Sequence, residues 1–228
     1  MEDLKLFDVV SFCYEGAPFT FKDDFSAPLT MQLFKLQHIA KAKTAFVSDE
    51  RELKSLQTYL ARYAQTDREF KKRINFDSVR IGSREDSPFP GESKQDNFES
   101  YIEWSCGLAC PKEWGGLFSL KSTLTVEEWE KQFNTLWPKL HHILLLYHLE
   151  LVSCYKDEFN PYLNMNIFSL NALKALKHLA LGETSREIAE KLDMTERGVE
   201  YHINQLCTKL ETKNRIHLIH VATKLGLV

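Results

Sequence analysis

Residues 184–210 read TSREIAEKLDMTERGVEYHINQLCTKL, and their punctuation predicts two helices joined by a tight turn. Thr184-x-x-Glu187 is a capping box, in which the hydroxyl satisfies an orphan amide and the carboxylate reaches back to the cap. Ile188, Ala189 and Leu192 then supply an apolar face. Asp193-Met194-Thr195 forms the turn. Thr195 caps a longer helix that buries Val199, Ile203, Leu206 and Leu210, at spacings i, i+4, i+7 and i+11. Working outward, Ser169 caps a preceding helix carrying Leu170, Leu173, Leu176, Leu179 and Ala180, which Gly182 stops. A last helix follows over Asn214–Leu225. A short capped helix, a three-residue turn and a longer capped helix form a helix-turn-helix pattern, whose second helix enters a major groove.

The polar face of that second helix carries Arg197, Glu200, Tyr201, Asn204 and Thr208. Arg197 lies in the first turn, within reach of base edges or phosphate, and Asn204 offers the donor and acceptor that bidentate contact with adenine requires. Thr184, Ser185 and Arg186 meet phosphate with hydroxyls, amides and a positive helix end. The plainer alternative is a helical bundle with a solvated face, since every amphipathic helix has one. Charge distribution favours the former. Residues 166–228 hold nine Lys/Arg against seven Asp/Glu, while the remainder holds 20 against 25. A mildly basic end on an acidic body places any contact with double-stranded DNA at the C-terminus.

These residues resemble the LuxR-type (GerE-type) helix-turn-helix regulators of bacteria. The pattern runs over Phe168–Val228: Leu179-Ala180-Leu181-Gly182, Glu187 to Leu192, Thr195, Val199-Glu200-Tyr201-His202, Lys209-Leu210, Asn214-Arg215, Ala222 and Gly226-Leu227. The resemblance adds Thr195, Lys209 and Arg215 to the DNA-contact set, and it implies that the last helix, with Ile216, Ile219 and Val221, serves a homodimer. Three departures stand out. The family's early Arg-Glu pair is Asn171-Ala172, its Thr before Val199 is Gly198, and its common Lys after that Val is Glu200. Gly198 costs about 1 kcal/mol of helix propensity against Ala. Glu200, acidic on the reading face, either pairs with Arg197, reads a cytosine amino group, or weakens binding.

Upstream, Phe7–Tyr14, Phe76–Gly82, Ser105–Cys110 and Gly116–Leu120 read as strands. Leu29–Thr44, Glu50–Lys72 and Thr125–Tyr155 read as helices, the third with Pro138 as a kink or break. Strands at both ends of a helical middle predict an α+β chain. Residues 1–157 form an α/β/α sandwich with a mainly antiparallel sheet, residues 158–166 a Pro- and Asn-containing linker, and residues 167–228 the four-helix unit. Residues 82–97 read as a surface loop.

Regulators with this tail pair it with an effector domain, and the element order resembles the autoinducer-binding sandwich. Gly107 to Pro111 and Gly116 to Leu120 are similar to that family's paired pocket strands. Its pocket aromatics have weak equivalents here: Tyr59, Tyr63 and Asp67 at i, i+4 and i+8 on one helix, with Trp104 the first tryptophan of the chain. The resemblance implies that these hold a small-molecule effector; equally, the tyrosines are core aromatics and Asp67 a solvated charge. A phosphoacceptor domain is not expected, because the set it needs, an acidic pair beside the first strand, an Asp ending a central strand and a Lys ending a late one, cannot be assembled; Asp8 falls inside the first strand pattern.

Composition bounds the rest. Hydrophobic residues at 43% and charged residues at 27% of 228 positions exclude a disordered or collagen-like chain. Ile143–Val152 is too short for a bilayer span and is interrupted by His148 and Glu150. The acidic start Met1-Glu2-Asp3 lacks a secretory pattern, so the expected location is cytoplasmic. Five scattered cysteines fit a reducing compartment. His141, His142 and His148 lack metal-ligand spacing, and Cys106-x3-Cys110 lacks a second pair. Ser153-x-x-Lys156 lacks its partner motifs. Neither catalysis nor a cofactor is implied. The apolar stripe Trp129, Phe133, Leu136, Leu140, Leu144, Tyr147 and Leu151 reads as core, with any exposed part left for dimerisation. The competing expectation for the whole chain is an anti-activator that heterodimerises with a related regulator.

Overall fold

The computed structural model describes residues 2–18, 45–63, 78–87, 97–107 and 114–228. After a short helix, α1 (Glu2–Lys5), come strands β1 (Val9–Pro18) and β2 (Ala45–Val47), helix α2 (Glu50–Arg62) and strand β3 (Val79–Ser83). Strands β4 (Ser100–Gly107) and β5 (Trp114–Ser122) then lead into helix α3 (Val126–Cys154). The expected helix over 29–44, the end of the Glu50–Lys72 helix beyond Tyr63, Asp67, most of the 82–97 loop and Cys110 lie outside the described residues.

The five strands form one sheet in the order β2-β1-β5-β4-β3, every pairing antiparallel. Alternation along each strand splits the side chains between two faces. On β1, Tyr14 joins Ile102, Trp104, Phe118 and Leu120 against Trp129, Leu140 and Leu144 of α3. Its neighbour Cys13 points the other way and clusters with Leu56, Tyr59 and Leu60 of α2. The N-terminal part is therefore an α/β/α sandwich. Thr125 caps α3 in a complete capping box with Glu128, and the helix runs unbroken through Pro138. Pro138 and Asn134, the residue whose carbonyl loses its helical partner, are both exposed, so the missing bond falls on the solvent side of the helix.

His148 of α3 is buried and ties that helix to the sheet. Its Nδ1 accepts a hydrogen bond from the Tyr14 hydroxyl at 2.9 Å, and the ring also hydrogen-bonds the Gly107 carbonyl. Tyr14 lies across Gly116, where a Cβ would overlap its ring. Burial lowers the His148 pKa, offset in part by the Gly107 bond. The unfolded chain, with its histidines near 6.5, then takes up the proton first as pH falls. The stability from the neutral ring is present above about pH 6.5 and is lost as pH drops through the folded-state value. Urea midpoints are accordingly expected to fall between about pH 7.5 and 5.5, and His148→Gln to remove part of that fall. An equal fall in the variant would assign the pH dependence elsewhere.

Residues 158–166 are not an extended connection. They contain the second half of helix α4 (Lys156–Phe159) and all of α5 (Pro161–Asn164), with Phe159, Asn160, Tyr162, Asn164 and Met165 buried. The Asn160 amide donates to the carbonyls of Leu225 and Gly226 at 3.3 and 3.1 Å, and its oxygen accepts from the Tyr162 amide at 3.0 Å. Tyr162 stacks on Phe168 at 5.7 Å. One cluster of buried side chains thus runs from Cys13, Leu56 and Tyr59 through Tyr162, Met165 and Phe168 into the C-terminal helices. No described helix is long and apolar enough to cross a membrane.

Candidate nucleic-acid interface

Helices α6 (Leu170–Ala180), α7 (Ser185–Leu192), α8 (Glu196–Lys209) and α9 (Arg215–Lys224) each begin at a side-chain cap: Ser169, Thr184, Thr195 and Asn214 respectively. Each cap satisfies one of the four amides that a helix start leaves open. Asp193 closes α7 in the left-handed region at φ 52°, and this bend turns α8 across α7. Leu173, Leu176, Ile188, Val199, Ile203, Leu206, Leu218 and Ala222 fill the core between the helices.

With the apolar edge of α8 turned inward, Arg197, Tyr201, Asn204 and Thr208 are exposed together on the outer edge. Tyr201 has 60% of its surface open. Thr195 spends its hydroxyl on the Gly198 amide at 3.1 Å, and Thr184 spends its own on Glu187. Arg186 meets Glu190 at 3.2 Å on the open surface, a pairing that holds it weakly. Thr208 donates to the Asn204 backbone carbonyl at 2.9 Å. Lys209 departs from the group: its ammonium donates to the Ile167 carbonyl at 2.8 Å and sits over the Phe168 ring.

Glu200 does not pair with Arg197. Its Oε1 accepts from the Ser185 hydroxyl at 2.6 Å and from the Arg215 guanidinium, which also donates to Ser185 Oγ at 2.9 Å. The Arg215 hydrogen bond first, and the Ser185 one second, hold the Glu200 carboxyl below the usual value. The first residues of α7 and α9 are thereby joined through the middle of α8.

The three described residues of the expected effector set, Tyr59, Tyr63 and Trp104, are not brought together. Tyr59 is buried under the α2 face of the sheet, whereas Trp104 lies on the α3 face, stacked on Phe118 at 5.8 Å and edge-on to His141 at 4.8 Å. Tyr63 is the exposed end of α2, and Asp67 is outside the described residues. A different cavity, of about 240 Å³, opens beside Ser11, Glu52, Phe98 and Lys121. There the Lys121 ammonium meets Glu52 at 2.8 Å with both side chains nearly covered, and Ser11 donates to the same carboxylate at 2.8 Å. Among the described residues no group of His, Cys, Asp and Glu is arranged for a metal ion.

Residues 169–222 match the family described as bacterial regulatory proteins, luxR family (GerE). The chain is 27% identical over 128 residues to the transcriptional repressor ThaA of Burkholderia thailandensis, covering 56% of this chain and 53% of that protein. It is 31% identical over 101 residues to the transcriptional activator protein AnoR of Acinetobacter nosocomialis, covering 43% and 41%. The chain thus spans about half or less of the length of these curated relatives. Among solved structures it is similar to Escherichia coli SdiA, with 16% identity, 99% of this chain and 87% of that chain covered, and a TM-score of 0.44. Four capped helices, a helix-turn-helix with an open polar edge, and a family match over that same stretch agree: the C-terminal unit of this chain belongs to the LuxR family of bacterial regulatory proteins.

Proposed function

We propose that the chain is a DNA-binding transcription regulator acting as a homodimer. Residues 167–228 are its DNA-binding unit, residues 1–157 an effector-type unit, and residues 158–166 the packed joint between them. The observation that carries this reading is the exposed edge of α8, where Arg197, Tyr201 and Asn204 project from a helix capped at Thr195 inside the LuxR-family stretch. A helix so held presents its first turns to base edges, and a two-fold dimer sets two such helices about one DNA turn apart. A small molecule or protein partner at the N-terminal unit acts by favouring one arrangement of the two units. The cavity beside Glu52 and Lys121 offers such a ligand charged partners.

The test is selection of genomic fragments by the full chain, then titration of the best fragment against random duplex at two salt concentrations. Expected is a complex that weakens steeply with salt and discriminates the selected fragment by at least about 10³-fold. Binding no tighter than to random duplex favours the second reading, an anti-activator that heterodimerises with a related regulator. The observation on that side is Glu200, which cancels a cation of the same domain.

A further inference from the structure

The Glu200, Ser185 and Arg215 cluster is not part of the core. The Arg215 and Glu200 side chains are 40% and 43% exposed, and an ion pair that open to water contributes little to stability. Its geometry is nonetheless specific. A hydroxyl and a guanidinium from the first residues of two different helices converge on one carboxylate oxygen, and they are held in place by a bond to each other. Two charge-assisted donors aimed at one anionic oxygen are what a backbone phosphate also requires. The cluster adjoins the reading edge, since Glu200 lies between Arg197 and Asn204 on α8 and immediately precedes the exposed Tyr201.

We propose that Ser185 and Arg215 form a phosphodiester-binding site that the chain's own Glu200 carboxylate fills in the free protein, so that a DNA phosphate must displace Glu200 to enter it. The inference rests on the DNA-binding reading above for its partner, but the anion site itself is testable without DNA. Glu200 then acts as an internal competitor. It neutralises a cation that would otherwise add one phosphate contact, and it lowers affinity for every sequence alike rather than for one base.

Two measurements on the full chain decide the matter. In the first, inorganic phosphate is titrated at constant ionic strength into the wild type, Glu200→Gln and Glu200→Gln/Arg215→Ala, following the Ser185 amide and Arg215 Nε resonances where present. A saturable shift is expected in Glu200→Gln alone. Phosphate acting equally on all three, or on none, overturns the proposal. In the second, random-sequence duplex is titrated over a salt series. Glu200→Gln is expected to gain about 3–10-fold in affinity, with a log–log salt slope steeper by about 1. Arg215→Ala is expected to cost about 10-fold in the Glu200→Gln background and much less in the wild type, whereas a simple change of net charge predicts equal losses. Equal losses overturn the proposal. Glu200→Asp, which keeps the charge but shortens its reach, is expected to give an intermediate gain and repeats the test should Glu200→Gln fold poorly. If Glu200→Gln responds to phosphate but neither it nor the wild type binds any duplex, the anion site stands and the DNA-binding function falls.

Discussion

Arg197→Ala is expected to weaken binding to the selected DNA fragment by roughly 1–3 kcal/mol, about 5-fold to 150-fold, while leaving the fold intact. The expectation follows from how the cations of the C-terminal unit are employed. Arg215 is bound to Glu200, Arg186 to Glu190, Lys191 to Glu183, and Lys209 to the Ile167 carbonyl. Arg197 is exposed in the first turn of α8, and no carboxylate among the described residues pairs with it. Its removal therefore breaks no ion pair or side-chain hydrogen bond among the described residues, and helix propensity changes little from Arg to Ala. Competition between selected and random duplex separates two roles. A loss confined to the selected fragment marks base readout, and an equal loss on both marks a phosphate contact. Arg186→Ala, already shared with Glu190, serves as the control and is expected to cost less. Undiminished affinity of Arg197→Ala for the selected fragment would remove Arg197 from the interface.

The C-terminal unit was legible because its signals are local. Thr184 and Glu187, Thr195 and Gly198, and Asn214 and His217 stand three residues apart, so the caps that begin α7, α8 and α9 are written in short windows. The same holds for Thr125 and Glu128 at the start of α3. What local spacing cannot supply is the partner of a side chain that reaches another element. Glu200 meets Arg215 fifteen residues on rather than Arg197 one turn back. Asn160 looks like a turn former in a linker, yet its amide satisfies carbonyls 65 and 66 residues away at the end of the chain. Pro and Asn punctuate a stretch whether it is extended or, as here, folded into two short helices with buried side chains. The cavity beside Ser11, Glu52 and Lys121 was equally invisible, because it draws on β1, α2 and β5 at once. A lysine alternating with Leu120 and Ser122 was its one sequence signal.

Trp104 and Tyr59 show the limit from the other side, because a shared pocket requires them to share a face of the sheet. Alternation alone places Trp104 opposite Glu103, but which face each helix covers depends on the register of five strands. That register pairs Trp104 with Phe118 on β5, and Phe118 with Tyr14 on β1, so all three face α3. Trp104 is 1% exposed there, enclosed by Phe118, by His141 and by Trp137 at 6.4 Å. Trp104→Ala is accordingly expected to destabilise the N-terminal unit by about 3–5 kcal/mol, the cost of a large aromatic lost from a packed interior, and Trp104→Phe by less. Urea unfolding followed by far-ultraviolet circular dichroism reads this directly. A tryptophan that serves mainly to contact a ligand behaves differently: its loss leaves the free protein's unfolding midpoint nearly in place and abolishes the response to the ligand. Tyr59→Phe keeps the ring and removes only the hydroxyl, and provides the comparison on the opposite face. A large midpoint shift for Trp104→Ala beside a small one for Tyr59→Phe assigns Trp104 to holding α3 against the sheet, and a Trp104→Ala midpoint equal to that of the wild type would return it to the effector site.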